Sequence, residues 1–324
     1  MEFDVQSWMQ SAAFLGGAFA MGFGAIGAAI GEGYTAGQAT TAILRNREIS
    51  KVIFKNMLVG QALSESASIF SLVIAIMLLF SDVSTASLVK AAAFAGAGLS
   101  MGFGAMGSGV GSGLPAGQCC LGIARQPAIS GRITTNMLIG TAVCQTPAIF
   151  AMVVSLILIF LDYGNAPLFP TSAALIGAGL SIGLSAVGSG YGGGVSAGAS
   201  CEAIARQPQS VGNVTTVMLI GQAVSQTPSI FGLLVSFILM FKPNPEPNVF
   251  TGSIALLSAG MCMGFGGIGS GIGNGLVAGG AIRGIAASIK HAGELTRVML
   301  VGQAVSQSPA VGAMIVSLIL IFVV

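Results

Sequence analysis

Charged side chains are scarce in this sequence. Lysine, arginine, aspartate and glutamate together make up 7% of the 324 residues, whereas a soluble domain carries about 25%. A soluble protein with so few charges would have little with which to cover its surface, so this class is excluded. The chain instead contains long apolar segments. Hydrophobic residues make up 54% of it, and apolar runs reach the roughly 20 residues that cross a bilayer. The sequence therefore predicts a membrane protein.

Residue types that carry out chemistry are also few. The chain has five cysteines and one histidine, His291. The cysteines show no metal-ligand spacing, and we interpret them as small buried hydrophobic residues with free thiols. They are Cys119, Cys120, Cys144, Cys201 and Cys262. His291 is predicted to be a surface residue of a loop. No Gly-Lys-Ser/Thr follows the glycine runs, so phosphate-binding loops are excluded. We expect no catalytic site, no organic cofactor and no nucleic-acid partner.

The chain is built from four copies of one unit of about 81 residues. Gly60, Gly140, Gly221 and Gly302 are spaced by 80, 81 and 81 residues, and Gly22, Gly102, Gly183 and Gly264 keep the same steps. Such self-similarity is typical of repeat architectures. Each copy has two long apolar segments around a short polar loop. The sequence therefore predicts an all-α membrane protein with four tandem helical hairpins and eight transmembrane helices. The predicted units are 1–82, 83–162, 163–243 and 244–324.

The two helices of a unit differ in kind. The first is rich in glycine, as in the alternating run Gly107, Gly109, Gly111 and Gly113, whereas the second carries bulky residues, as in SLVIAIMLLF (71–80). Small residues four apart let membrane helices approach closely. We therefore expect two concentric layers, with the glycine helices inside and the bulky helices outside.

Basic residues predict the orientation of the hairpins. Ten of the twelve lysines and arginines lie in the loops within hairpins, and only Lys90 and Lys242 lie in the links between them. The positive-inside bias places the hairpin loops in the cytoplasm and both termini outside. The acidic start MEFDVQSWMQ lacks the basic beginning of a signal peptide, so we expect the first helix to be retained. The link KPNPEPNV (242–249) predicts a short, stiff connector.

Two acids, Glu32 and Glu65, fall inside the apolar spans. Glu32 is 15 residues before Arg47 in the first loop and Glu65 is 18 residues after it, so both lie about 22–27 Å from the loop. An ionisable group near the middle of a membrane span costs at least about 2.5–3.5 kcal/mol and is a functional candidate by default. We expect both acids at one ion-binding site of the first hairpin, where the two carboxylates do not both ionise.

Oxygen ligands next to these acids suit a hard cation. Ser66 supplies a hydroxyl, and the backbone carbonyl of Leu63 or an equivalent supplies another oxygen. Because consecutive helical residues point about 100° apart, Glu65 and Ser66 of one chain are expected to face different neighbours. The hydroxyl at the Glu65 site then comes either from Thr146 or from Ser308 of another molecule.

The later copies keep this segment and remove its charge. The Glu65 position holds Gln145, Gln226 and Gln307, and the Glu32 position holds Ser112, Gly193 and Asn274. Glutamine matches glutamate in shape but cannot change charge. The pattern therefore predicts one ion site per four hairpins.

Each unit resembles the proteolipid of the rotor ring, known as the c subunit, of F-type rotary ATP synthases. The resemblance covers nearly the whole chain and is carried by the alternating glycine helix, the loop ARQP (124–127 and 205–208) and the stretch GQALSES with its membrane carboxylate. It implies a homo-oligomeric ring of hairpins in a bacterial cell membrane. It also implies a stator a subunit, central stalk subunits and membrane lipids as partners, and transport of Na⁺ or protons coupled to ATP hydrolysis or synthesis.

The resemblance also implies roles for individual residues. Glu65 matches the ion-carrying carboxylate, and Glu32 and Ser66 match ligand positions of sodium-binding members, which favours Na⁺ over H⁺. Phe70 stands where those members often have tyrosine, and Ala67 replaces a hydroxyl residue. Fused hairpins with lost acids are similar to V-type relatives that work as ATP-driven pumps.

The spacing of the acids predicts that few ions are transported for each ATP, which we call low gearing. Moving one charge through 100 mV supplies about 2.3 kcal/mol, and a ring made only of this chain gains a quarter as many such steps per turn as a ring with an acid on every hairpin. Three chains would make a twelve-hairpin ring with three sites, and single-hairpin proteins from elsewhere could also join. Two other classes stay open at this point: a stand-alone cation transporter or channel, and a structural proteolipid.

Overall fold

The computed structural model describes residues 4–82, 87–164, 166–242 and 250–323. Within these ranges the α-helices are α1 (Val5–Arg45), α2 (Ser50–Leu79), α3 (Leu88–Arg125), α4 (Ser130–Cys144), α5 (Thr146–Phe160), α6 (Leu168–Arg206), α7 (Val211–Phe241), α8 (Phe250–Ala287) and α9 (Ala292–Phe322). The helices α4 and α5 are the halves of one apolar segment that breaks at Gln145. The described ranges hold eight segments long and apolar enough to cross a membrane, so the predicted four hairpins are confirmed. Most of the connector at 242–249 lies outside the described residues.

The glycine-rich helices α1, α3, α6 and α8 pack side by side in that order. Their backbones touch because glycine has no side chain at the contact. A Cβ atom built on the glycine of one helix would lie closer than 3.0 Å to the backbone of its neighbour, as three equivalent pairs show: Gly98 on Gly16, Gly179 on Gly96 and Gly260 on Gly177. Any larger residue at these positions would force the inner helices apart.

The bulky helices form a second layer on one side of this row. α2 lies against α1 and α3, α4 and α5 lie against α3 and α6, and α7 lies against α6 and α8. Each outer helix therefore packs between its own inner helix and the inner helix of the following hairpin. The last described outer helix, α9, packs mainly against its own inner helix α8. The two predicted layers are confirmed.

The row of hairpins has two uncovered edges. At one edge, a Cβ atom on Gly22 or Gly33 of α1 would meet nothing within 4 Å, and the same holds for Gly269 of α8 at the other edge. On the outer helix of that second edge, Val298 is 65% exposed, whereas its equivalent Val217 in the third hairpin is 5% exposed. The edges therefore carry the same surfaces that are buried between hairpins elsewhere in the chain.

Two apolar cores lie at different depths. One contains Ile74, Leu78 and Phe94 toward the chain termini, and the other contains Ile53 and Met137 toward the hairpin loops. Buried polar side chains occupy the layer between the cores, and they include Ser112, Gln222, Gln226, Asn274 and Gln303. The five cysteines are free, and four of them are buried as predicted, whereas Cys262 is half-buried. The exposed His291 lies near a hairpin loop, with Nδ1 3.0 Å from the hydroxyl of Ser288.

Candidate ion-binding site

Gln145 connects the first and second hairpins by hydrogen bonds at their interface. Its Nε2 donates to the backbone carbonyl of Leu63, at 2.9 Å, and to the hydroxyl of Ser112, at 2.7 Å. Ser112 in turn donates to the carbonyl of Ser108 at 2.8 Å. The amide at the Glu65 position is thus held between the inner helix of its own hairpin and the outer helix of the preceding one.

The next two interfaces repeat this arrangement. Gln226 Nε2 donates to the carbonyl of Val143 at 3.4 Å. In the fourth hairpin, Asn274 Nδ2 donates to Gln307 Oε1, at 2.6 Å, and to the carbonyl of Val224, at 3.3 Å. Leu63, Val143 and Val224 occupy equivalent positions in successive hairpins. Each later hairpin therefore reaches back to the same carbonyl of the hairpin before it.

These neutral clusters contain buried polar atoms without a hydrogen-bond partner among the described residues. They are Gln145 Oε1, Gln226 Oε1, Asn274 Oδ1 and Gln307 Nε2. A buried polar group without a partner costs about 1–3 kcal/mol. The clusters thus contain polar atoms that could form further hydrogen bonds, at the level of the two acids, but they carry no charge.

A second row of glutamines forms hydrogen bonds between helices near the same polar clusters. The sequence-based prediction of the site did not include these residues. Gln222 Nε2 donates to the carbonyls of Gly193, at 3.1 Å, and of Gly140, at 2.9 Å. Gln303 makes the equivalent bonds in the fourth hairpin. In the first hairpin, Gln61 Nε2 lies 3.4 Å from the carbonyl of Glu32. The signal was present in the repeated sequence GQA, at 60–62, 221–223 and 302–304.

Glu32 and Glu65 lie together at the uncovered edge of the first hairpin. Glu32 is half-buried and Glu65 is exposed, and the two are near enough for their charges to interact. Groups of three or more histidine, cysteine, aspartate or glutamate side chains able to hold a metal are absent from the described residues. A cation at this pair would therefore need neutral oxygens to complete its ligand shell.

The neutral oxygens predicted as ligands lie on different sides of the molecule. The hydroxyl of Ser66 donates to the carbonyl of Leu63 at 2.7 Å, and that carbonyl also faces Gln145. At the exposed edge of α9, the hydroxyl of Ser308 donates to the carbonyl of Val305 at 2.8 Å. Thr146 holds the corresponding position of the second hairpin and is half-buried. Within the described residues, then, the two acids are near enough for their charges to interact, and the carbonyls of Leu63, Val143 and Val224 face later hairpins instead of this pair. The ligand roles of all these residues stay predictions.

Comparison with known proteins decides the family. The ATP synthase C subunit family matches four segments of the chain, residues 15–78, 95–158, 176–239 and 257–320. This chain belongs to that family. Each matched segment covers most of one hairpin, and the predicted resemblance to c subunits is confirmed.

Relatives of the chain include short and longer proteins. The chloroplast ATP synthase c subunit of Phaeodactylum tricornutum is 45% identical over 75 residues, which are 23% of this chain and 90% of the relative. The ATP synthase c subunit of Alkaliphilus oremlandii is 43% identical over 74 residues, 23% of this chain and 82% of the relative. The A-type ATP synthase K subunit of Methanocaldococcus jannaschii is 32% identical over 190 residues, 58% of this chain and 78% of the relative.

Membership assigns the role of the chain within its complex. The chain is a rotor-ring c subunit of a rotary ATP synthase or ATPase, a multi-span membrane protein whose relatives are membrane rotor components and not the catalytic subunits. Such c subunits form a ring within ATP synthase, next to the a subunit and the stalk.

Proposed function

We propose that copies of this chain close into a ring in which each copy carries one cation, at Glu65 and Glu32. The carrying observation is that both acids belong to the first hairpin, whose outer edge has no neighbouring hairpin among the described residues. The uncovered edges support ring closure, because Gly22 and Gly33 on α1 are equivalents of inner-helix glycines that pack on a neighbour elsewhere. A fourth hairpin placed before a first hairpin would repeat the three interfaces already present in the chain.

Ring closure completes the ligand set of the acid pair. Gln226 reaches a carbonyl 83 residues earlier, at Val143. In a closed ring the residue equivalent to Val143 that would face Glu65 is Val305 of the partner subunit, with Ser308 of the partner subunit beside it. Of the two hydroxyl sources left open by the sequence, Ser308 of another molecule is therefore the one that matches the repeat.

We assign Na⁺ as the preferred ion and H⁺ as the alternative. Two carboxylates, a hydroxyl and a carbonyl are hard oxygen donors that suit Na⁺. Because the two acids interact, one of them is expected to hold a proton while the other balances the charge of the cation. The resemblance to sodium-binding members at Glu32, Glu65 and Ser66 supports the same choice.

The three neutral hairpins lower the number of ions per turn. With one cation per four hairpins, ATP hydrolysis has more free energy available for each ion, so the ring works as a pump against a steep gradient. At about 2.3 kcal/mol per charge and 100 mV, synthesis with so few charges per turn is hard. A ring of three chains would carry three ions.

The surroundings of the ring follow from the same interpretation. The a subunit would act as stator and load and unload Glu65, the loops of the hairpins would contact the stalk on the cytoplasmic side, and the termini would lie outside a bacterial cell membrane. The basic residues of the hairpin loops support this orientation.

Two measurements on the intact complex test the proposal. Ions moved per ATP are counted in sealed vesicles, and a ratio close to that of a ring with an acid on every hairpin would contradict the low gearing. A carboxyl-reactive carbodiimide should label Glu65, and Na⁺ should protect it. Labelling without protection by Na⁺ would assign protons as the ion. Absence of labelling at both acids would reject the ion site and favour a structural proteolipid.

A further inference from the structure

A groove runs between neighbouring outer helices at the end that carries the hairpin loops. Between the first and second hairpins, Val52 of α2 lines one wall of the groove and Gly131 of α4 lines the other. Between the second and third hairpins, Arg132, the equivalent of Val52, again lines the groove. Equivalent positions thus recur in successive grooves, so the residues that would line a groove between two copies of the chain can be named.

One pair of facing positions carries opposite charges only where two copies would meet. The position of Val52 holds, in chain order, Val52, Arg132, Asn213 and Glu294. The facing position, that of Gly131, holds, in chain order, Lys51, Gly131, Gly212 and Gly293. Each interface joins the first position of one hairpin to the facing position of the next, so the three internal interfaces have glycine there. The interface between copies alone joins an acid, Glu294 of the partner subunit, to a base, Lys51.

Lys51 has no counter-charge on the side of the second hairpin. It is exposed, and the groove on that side has a second base, Lys55, and no acid in its lining. Lys51 also lies in the first turn of α2, where the positive end of the helix dipole disfavours a cation. A carboxylate supplied by a preceding hairpin would offset both disadvantages.

Glu294 is equally available for a contact between copies. It is exposed in the first turn of α9. An opposite charge lies three residues away in sequence for each of the two residues, Arg297 for Glu294 and Glu48 for Lys51. Neither forms an ion pair with that neighbour, because the ion pairs of the described residues involve Glu202. Both charges therefore remain open to a residue of another copy.

The outer helices differ between internal and outer interfaces at a second pair of positions. Between the first and second hairpins, Thr134 Oγ1 donates to Asn56 Oδ1 at 2.7 Å, and the next interface repeats this bond. The position of Asn56 holds Val298 in the fourth hairpin, and the position of Thr134 holds Phe54 in the first. Val298 is 65% exposed and Phe54 is 52% exposed. The interface between copies would therefore join two apolar side chains where two internal interfaces join polar ones.

We propose that Lys51 pairs with Glu294 of the partner subunit, next to an apolar contact of Phe54 with Val298 of the partner subunit. This inference rests on the proposed ring and names the neighbour that the first hairpin selects. That neighbour is a second copy of this chain, since the fourth hairpin alone offers an acid together with a valine at these positions. A single-hairpin protein from elsewhere would need the same two residue types to join the ring at this point.

The test reverses each charge in the full chain and measures the temperature at which detergent-solubilised rings separate into single chains. Lys51→Glu brings two acids together and Glu294→Lys brings two bases together, so each should lower that temperature. Both substitutions in one chain restore the attraction and should restore the temperature. An exposed ion pair changes an association constant by a factor of about 1.4–5. The loss multiplies around the ring, because the contact recurs once for every copy.

Lys55→Glu is the matched control. It makes the same change of charge on α2, one turn from Lys51, but on the wall that faces the second hairpin. It should leave the separation temperature unchanged, and it should not compensate Glu294→Lys. High salt should reduce the differences between the variants, since it screens exposed charges.

The outcomes separate this inference from the proposed function. Unchanged temperatures for the single reversals, or a double variant no better than the worse single one, would overturn the pairing. If a single reversal prevents ring formation, the recovery of rings in the double variant becomes the readout. An equal fall in the unfolding temperature of the isolated chain would assign the charges to the fold of the hairpin and also overturn the pairing. If the unsubstituted chain forms no ring, the proposed function fails, and the pairing fails with it.

Discussion

The first hairpin and the three that follow it share one backbone plan and differ in where their polar cluster is completed. Gln145, Gln226 and Asn274 each find the carbonyl of a preceding hairpin within the same chain. Among the described residues no hairpin lies before that of Glu65, and Glu65 is exposed. The interfaces between hairpins of one chain are therefore neutral, and in the proposed ring the interface that contains the acids forms between molecules.

This division has an energetic reason. A charge at the middle of a membrane span costs at least about 2.5–3.5 kcal/mol, and that cost would recur at every hairpin of a fully acidic chain. Amides of the same shape hold the internal interfaces without it. The chain thus limits acids within the spans to the first hairpin, where the proposed ion site uses them.

The substitution Glu65→Gln is expected to have the largest effect on transport, because it removes the difference in charge between the first hairpin and the other three. The first hairpin then carries an amide at position 65 as the others do, and ATP-driven cation transport should fall to background because the carboxylate proposed to carry the ion is removed. Transport by the reconstituted complex is the measurement. Glu202→Gln is the control, since Glu202 is paired with Arg206 and Arg283 away from this site, and it should keep transport. Persistent transport in a Glu65→Gln ring free of other hairpin proteins would exclude Glu65 as the carrier.

The substitution Gln145→Glu makes the opposite change, because it gives the second hairpin an acid at the position of Glu65. The carbonyl of Leu63 and the hydroxyl of Ser112 already lie within hydrogen-bond distance of this side chain, so a second acid enters a built cluster. We expect a second carbodiimide-labelled position and twice as many ions per ATP in vesicles. Labelling at position 145 with an unchanged ratio would show that the neutral interfaces do not exchange ions with the stator.

An intermediate effect, on stability or on ring closure, is expected from replacing inner-helix glycines. The comparison is between a glycine packed inside the chain and its equivalent at the uncovered edge of α1. A Cβ on Gly113 would collide with the backbone of Gly31, whereas Gly33, its equivalent on α1, has nothing within 4 Å in a single chain. Gly113→Ala should lower the stability of the isolated chain by about 1–3 kcal/mol, as overpacking does. Gly33→Ala should leave that stability unchanged and impair ring closure.

Thermal unfolding of the isolated chain in detergent, and the mass of the assembled ring, measure the two effects. Normal rings from Gly33→Ala would exclude this face of α1 as an interface between copies.

The smallest effect concerns a single polar contact between outer helices. Thr215 Oγ1 donates to Asn136 Oδ1 at 2.8 Å, and such bonds between membrane helices average about 0.6 kcal/mol. Thr215→Val should reduce the free energy of unfolding in detergent by about that amount. Thr296→Val is the matched change in the fourth hairpin, where the hydroxyl donates to the carbonyl of Ala292 in its own helix. Equal losses for the two variants would show that the contact between hairpins adds nothing.

The sequence was sufficient for the layers and for the proximity of the two acids. Apolar length and the register of the glycines determine eight crossing segments and the close inner row, and residue counts from the loop place Glu32 beside Glu65. It was insufficient for the direction in which hairpins succeed one another. Repeat spacing relates equivalent residues, but it does not say on which side the following hairpin packs. Only the structure shows that Leu63 and Ser66 lie on the side of Gln145.

The offset of the outer helices restricts how copies can associate. Because each outer helix leans toward the following inner helix, the two ends of the chain are unlike: one presents α1 and α2, which carry the two acids, and the other presents α8 and α9. Such heterologous ends join head to tail and close only as a cycle. Two identical ends placed face to face would set Glu65 against Glu65, so the arrangement itself disfavours dead-end dimers during assembly.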